Sequence, residues 1–158
     1  MLDQFIIFCA QYLYLVIAGI GFFFLLFSER SIKKGVLAVG TVSTVLALVA
    51  DKTFNQLIES PRPFLSEGVV ALFPHVVSNG FPSEHVLFAI VIAGTIFIFN
   101  KKLGGFLAVL GLVVGYGRVF ANVHHPVDIL GALIIGITSV GVGWLIFYWI
   151  SNRKYLSF

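Results

Sequence analysis

A chain of 158 residues with 59% hydrophobic and 11% charged positions is too apolar for a soluble domain, where roughly 25% of residues would be charged. Its net charge of +3 calls for no nucleic-acid partner, because the placement of the cations has a better explanation in membrane topology. A single cysteine, Cys9, rules out an intramolecular disulfide and leaves the redox compartment open.

The first apolar block, about residues 4 to 27, has no Lys or Arg ahead of it, so it reads as a permanent span and not a cleavable signal. The second, about 36 to 59, turns polar in its last turns. Lys52, Asn55, Gln56 and Glu59 fall there near one helix face, which the spacing turns toward the bundle interior. Residues 60 to 83 carry Pro61, Pro63, Pro74, Gly80 and Pro82 and are expected as a loop at the membrane surface. Three more apolar blocks follow at about 84 to 99, 103 to 121 and 126 to 150. Each is near the ~20 residues that cross a bilayer. Backbone groups in lipid must pair within their own segment, and no period-2 barrel pattern is present. The expected fold is therefore all-α, a polytopic bundle of about five transmembrane helices forming a single domain over 1–158.

Arg30, Lys33 and Lys34 lie between the first two spans, Lys101 and Lys102 between the third and fourth, and Arg153 and Lys154 after the fifth. Cytoplasmic loops are enriched in such residues. The N-terminus and the 60–83 and 121–126 loops are thus expected outside, and the C-terminus inside. Lys52, Arg62 and Arg118 break this bias by sitting at outer helix ends. Arg118 lies about one turn inside an apolar span, where a charge costs up to ~2.5 to 3.5 kcal/mol at full depth. Such a residue points to a functional site, although an arginine there also suits snorkelling to headgroups.

The same face collects all four histidines, His75, His85, His124 and His125. In Gly80-Phe81-Pro82-Ser83-Glu84-His85, a turn leads into the helix-capping Ser83 at the head of the third span. Free N–H groups at that N-terminus suit a phosphate, with His85 in the first turn; an ordinary helix cap would read the same way. Pro126 suits the first position of the fifth helix, which puts Asp128 one turn from His124. A carboxylate there can fix the imidazole tautomer while the other nitrogen attacks phosphorus. Arg62, held between Pro61 and Pro63, offers a stiffened fork for phosphate oxygens.

Taken together these segments resemble the phosphatidic acid phosphatase type 2 superfamily, which shows K-x6-R-P, P-S-G-H and S-R-x5-H-x3-D in that order. Arg118, His124 and Asp128 match the third motif at full spacing, with Gly117 where the family usually has Ser. Pro82, Ser83 and His85 match the second, but Glu84 replaces Gly, and this and the Pro-Arg-Pro-Phe stretch look like the undecaprenyl-diphosphate phosphatase branch. Only Arg62 and Pro63 match the first: Asn55 stands where the lysine would be, and Lys52 lies one turn earlier.

The resemblance covers about residues 36 to 150, with one helix fewer than the usual six. It implies hydrolysis of a lipid phosphate or diphosphate at the outer face of the cell membrane. His124 would be the nucleophile, Asp128 its orienter and His85 the acid. Arg62, Arg118, Ser83, Lys52 and Asn55 would hold phosphate, with Glu84 paired to an arginine or sensing a second phosphate. It implies no metal and no cofactor. The substrates in view are undecaprenyl diphosphate first, then phosphatidylglycerophosphate, phosphatidic acid and lipid A. His75 and His125 are expected as interfacial or supporting residues, and a homo-oligomer is left open. The competing classes are a metal- or haem-binding protein built on the histidines and a transporter; the former leaves Arg62 and Arg118 unexplained.

Overall fold

The computed structural model describes residues 1–153; Lys154 and the Arg153 side chain, both used above for orientation, lie outside what is described. Among the described residues every regular element is a helix: α1 (Leu2–Gln11), α2 (Leu13–Phe27), α3 (Arg30–Leu57), α4 (Pro63–Ser66), α5 (Glu84–Phe99), α6 (Lys101–Phe120) and α7 (Pro126–Arg153). An isolated bridge joins Pro61 to Asn79.

The five expected segments recur as helix, but not all as clear crossings. Arg30–Leu57, Lys101–Phe120 and Pro126–Asn152 are long and apolar enough, and the first block adds a fourth if α1 and α2 count as one broken span. Helix α5 has 16 residues, about 24 Å of rise against a hydrocarbon core of about 30 Å. The first block is not one rod either: it bends by 49° between α1 and α2. The polar end of α3 stops at Leu57, which leaves Glu59 beyond the helix and exposed.

Helix α5 is the centre of the bundle. Its apolar residues point all round it, as expected of a helix with neighbours on most sides: Val86, Leu87, Ala89, Ile90, Val91, Ala93 and Ile96 are all buried, while Phe88 and Phe97 remain exposed. It packs on α6, α7, α3 and α2, and its core cluster takes in Ile17, Leu107, Val114, Ile129 and Ile135. Asn100 alone separates α5 from α6 and caps α6 by accepting from Leu103 N–H (3.0 Å). A second cluster of Ile6, Ala10, Phe73, Ala121 and Val123 ties α1, the 60–83 loop and the α6–α7 turn together at the end that carries the histidines.

Small residues let these helices approach. A Cβ on Gly117 would lie 2.9 Å from Ala10 N and from Cys9 Cβ, so α1 rests directly on α6 there. Gly117→Ser, which brings in the residue usual in the resembled family, is accordingly expected to destabilise this chain by about 1–3 kcal/mol through overpacking. Thermal unfolding in detergent measures it. An unchanged Tm would mean that α1 can retreat freely.

Candidate active site

Helix α6 ends at Phe120, and a tight turn carries the chain into α7. Asn122 takes φ 60° in this turn, a conformation asparagine tolerates better than most residues. Its amide donates to the Val70 carbonyl (2.9 Å), and Leu72 N–H donates to the Ala121 carbonyl (3.1 Å). The turn is thereby fixed to the 60–83 loop, and it presents His124, which is 2% exposed.

Pro126 opens α7, so Asp128 stands third in that helix and reaches back as in a capping box. One of its oxygens, Oδ2, accepts from His125 N–H (2.9 Å) and pairs with His124 Nδ1 (3.2 Å). The other, Oδ1, accepts from Ser60 Oγ (2.7 Å). Three donors hold a carboxylate that is itself fully buried. It leaves His124 with its proton on Nδ1 and its lone pair on Nε2, an assignment made from the partners.

Two guanidinium groups converge on that lone pair. Arg62 Nη1 lies 3.0 Å from His124 Nε2 and Arg118 Nη2 also 3.0 Å from it. Arg62 donates further to the carbonyls of Val123 (2.8 Å), Ser78 (3.2 Å) and Asn79 (3.3 Å) and to Ser78 Oγ (3.2 Å). Arg118 Nη2 reaches His75 Nε2 (2.8 Å), and its Nη1 donates to the Ala10 carbonyl (3.3 Å). Both arginines are nearly buried. Burial pulls the Arg62 pKa down, against the raising influence of Asp128 and Glu84.

A cavity of about 450 Å³ opens on this group, with Lys52, Glu84 and His85 on its wall beside Arg62, Arg118 and His124. Of the residues expected from sequence, it also meets Asn55, whose amide nitrogen donates to the Phe81 carbonyl (2.7 Å) and so ties α3 to the turn before α5. Ser83 does not line the cavity: it is fully buried, and its hydroxyl has no partner among the described residues. Glu84 makes no ion pair within 4.0 Å among the described residues; the two found are His124 with Asp128 and His125 with Glu67. An arginine partner for Glu84 is therefore not formed.

Several contributors carried little or no signal in the sequence. His75, expected as an interfacial or supporting residue, lines the cavity. Asn79 accepts from Ser60 N–H and donates to the carbonyls of Asn55 and Ile58, each at 2.7 Å. Asn79-Gly80 is a turn signal that could have marked this staple. Ser60 carried no comparable local signal.

Burial, with help from both arginines, lowers the His124 pKa to about 4 despite the hydrogen bond to Asp128. His75 is also lowered, mainly by burial. For His124 the neutral form therefore persists well below the usual histidine range. If its protonation limits activity, kcat/KM should fall on the acid side near pH 4 and not near 6.5, because this ratio reports free-enzyme ionisations. A pH–rate profile that already drops through 6.5 would count against this environment.

The family model of the PAP2 superfamily matches residues 35–155. The undecaprenyl-diphosphatase BcrC of Bacillus subtilis (strain 168) is 32% identical over 147 residues, 93% of this chain and 74% of the relative. A protein of Bacillus licheniformis named bacitracin transport permease protein BcrC is 30% identical over 142 residues, 88% of this chain and 68% of its own. Among solved structures, LpxE of Aquifex aeolicus superposes with a TM-score of 0.69 at 28% identity, covering 90% of this chain and 85% of that one. The helices, the buried imidazole–carboxylate pair and the sequence match agree, and this membrane protein belongs to the PAP2 superfamily.

Proposed function

We propose that the chain is a lipid phosphatase whose substrate is undecaprenyl diphosphate, hydrolysed to undecaprenyl phosphate and inorganic phosphate through a phosphohistidine. The observation that carries this reading is the pair of guanidinium groups, each 3.0 Å from His124 Nε2, with Asp128 behind the other ring nitrogen. A phosphoryl group entering between the arginines meets a lone pair already held in its tautomer.

In this mechanism His124 Nε2 attacks the terminal phosphorus and the P–O bond to the leaving phosphate breaks. His85, on the cavity wall, gives that oxygen a proton. Asp128 stabilises the positive charge that grows on the ring. Arg62 and Arg118 take up charge on the equatorial oxygens, the main source of catalysis in phosphoryl transfer. Water then attacks the phosphohistidine, loses its proton to His85 and releases phosphate from His124. Lys52 lines the same cavity and can reach an outer phosphate. Glu84, with no cationic partner at ion-pair distance among the described residues, stands where it can distinguish a diphosphate from a monophosphate. The choice of lipid comes from the name of the Bacillus subtilis relative and from Glu84 with the Pro61-Arg62-Pro63-Phe64 segment.

By the distribution of Lys and Arg, the cavity faces the extracytoplasmic side, with the N-terminus outside and the C-terminus in the cytoplasm. A transport role, as the Bacillus licheniformis name would have it, calls for charges along a path across the bilayer. The charges on this cavity gather at one end of the bundle.

The test is phosphate release from undecaprenyl diphosphate, undecaprenyl phosphate, phosphatidylglycerophosphate, phosphatidic acid and lipid A, each with and without excess chelator. Chelator-resistant release fastest from the polyprenyl diphosphate is expected. Release that needs an added divalent metal, or none from any lipid, would refute the reading.

A further inference from the structure

The family match begins at residue 35, so α1 and α2 lie outside it, yet both reach the catalytic group. The bend between them falls at Tyr12, with neither Pro nor Gly in the Phe8-Cys9-Ala10-Gln11-Tyr12-Leu13-Tyr14 stretch. Sharp bends otherwise occur where a side chain enters the helical hydrogen-bond ladder. At this bend Arg118 Nη1 donates to the carbonyl of Ala10 at 3.3 Å, which fits such an entry. The end of α1 thus supplies a free carbonyl, and a negative dipole end, to a buried guanidinium. One turn further on, Tyr14 sets its ring against His85 at 4.3 Å between centroids and 67° between planes. This edge-on contact restricts the tilt of the imidazole. Gly117 holds the arrangement together by letting α1 lie on α6 beside Arg118.

We propose that the bent α1–α2 pair is a working part of the active site, in which Tyr14 positions the His85 ring and the Ala10 carbonyl positions the Arg118 fork. Tyr14 is a positioning residue: it acts through His85 and does not touch phosphorus. The proposal rests on the phosphatase reading above, in which His85 moves the proton. Misplacing such a group costs about 10- to 100-fold in rate, and that loss should be confined to steps that use His85.

The experiment is a double-mutant cycle on the full chain in detergent, with undecaprenyl diphosphate as the probe and Tm recorded for every variant. Tyr14→Leu, with Tyr14→Met as a second aliphatic replacement, should lower kcat about 10- to 100-fold, while Tyr14→Phe, which keeps the ring, stays close to the parent. In the His85→Ala background the same Tyr14 replacements should have almost no further effect, because the group they position is gone. A merely structural Tyr14 would lower activity by the same factor in both backgrounds, and that result, or full activity of the aliphatic variants, overturns the proposal. No phosphate release by the parent, or a His85→Ala variant as fast as the parent, would instead refute the phosphatase reading on which the proposal stands.

Discussion

His124→Ala is expected to abolish turnover, lowering kcat by roughly 10³- to 10⁶-fold, as removal of a nucleophile does when the rest of a site survives. The fold should tolerate the change. Asp128 loses one of three donors but keeps Ser60 Oγ and His125 N–H, and Arg62 keeps the carbonyls of Val123, Ser78 and Asn79. The two guanidinium groups remain aimed at the same point, so the variant should still bind inorganic phosphate or a non-hydrolysed lipid phosphate. Calorimetry would show near-parental affinity beside the missing activity. A loss of only a few-fold would mean that some other group attacks phosphorus.

Arg62→Ala should be the most damaging change after that at His124, because one side chain does two things. It faces His124 Nε2 and it ties two other stretches of chain to its own, one at Val123 and one at Ser78 and Asn79. Losing an electrostatic donor to the transition state costs about 10²- to 10³-fold in rate. Leaving buried carbonyls unpaired adds about 1–3 kcal/mol of destabilisation. Arg62→Lys should rescue little of either, since a single ammonium cannot serve both the fork to the loop and the imidazole. Kinetics and thermal unfolding of the two variants separate the roles. A lysine variant with parental kcat/KM would show that charge alone is needed.

Much of the site was legible in the sequence because its residues violate membrane rules. Arg118 inside an apolar span is costly unless it is used, and the Pro126 that starts α7 fixes Asp128 one turn from His124. Those local constraints leave little freedom. Other features depend on contacts between distant segments, which spacing does not encode. No Pro or Gly near Tyr12 announces a bend, and the carbonyl of Ala10 just before it meets Arg118, more than a hundred positions away. His75 sits in a loop without periodicity and is brought to the cavity by its contact with Arg118. Ser83 illustrates the opposite case: its capping position was readable, but the packing that buries its hydroxyl away from the cavity was not. The short α5 was correctly bounded at 84 to 99, whereas its place at the centre of the bundle follows from which helices surround it.

The central claim is that His124 becomes covalently phosphorylated during turnover. Rapid acid-free quenching of a single turnover with terminally ³²P-labelled undecaprenyl diphosphate, followed by peptide mapping, tests it directly. The account predicts transient, acid-labile and alkali-stable label on the peptide containing His124, absent from His124→Ala and persisting longer in His85→Ala. Complete phosphate release with no labelled protein at any time, or label on another residue, would contradict it.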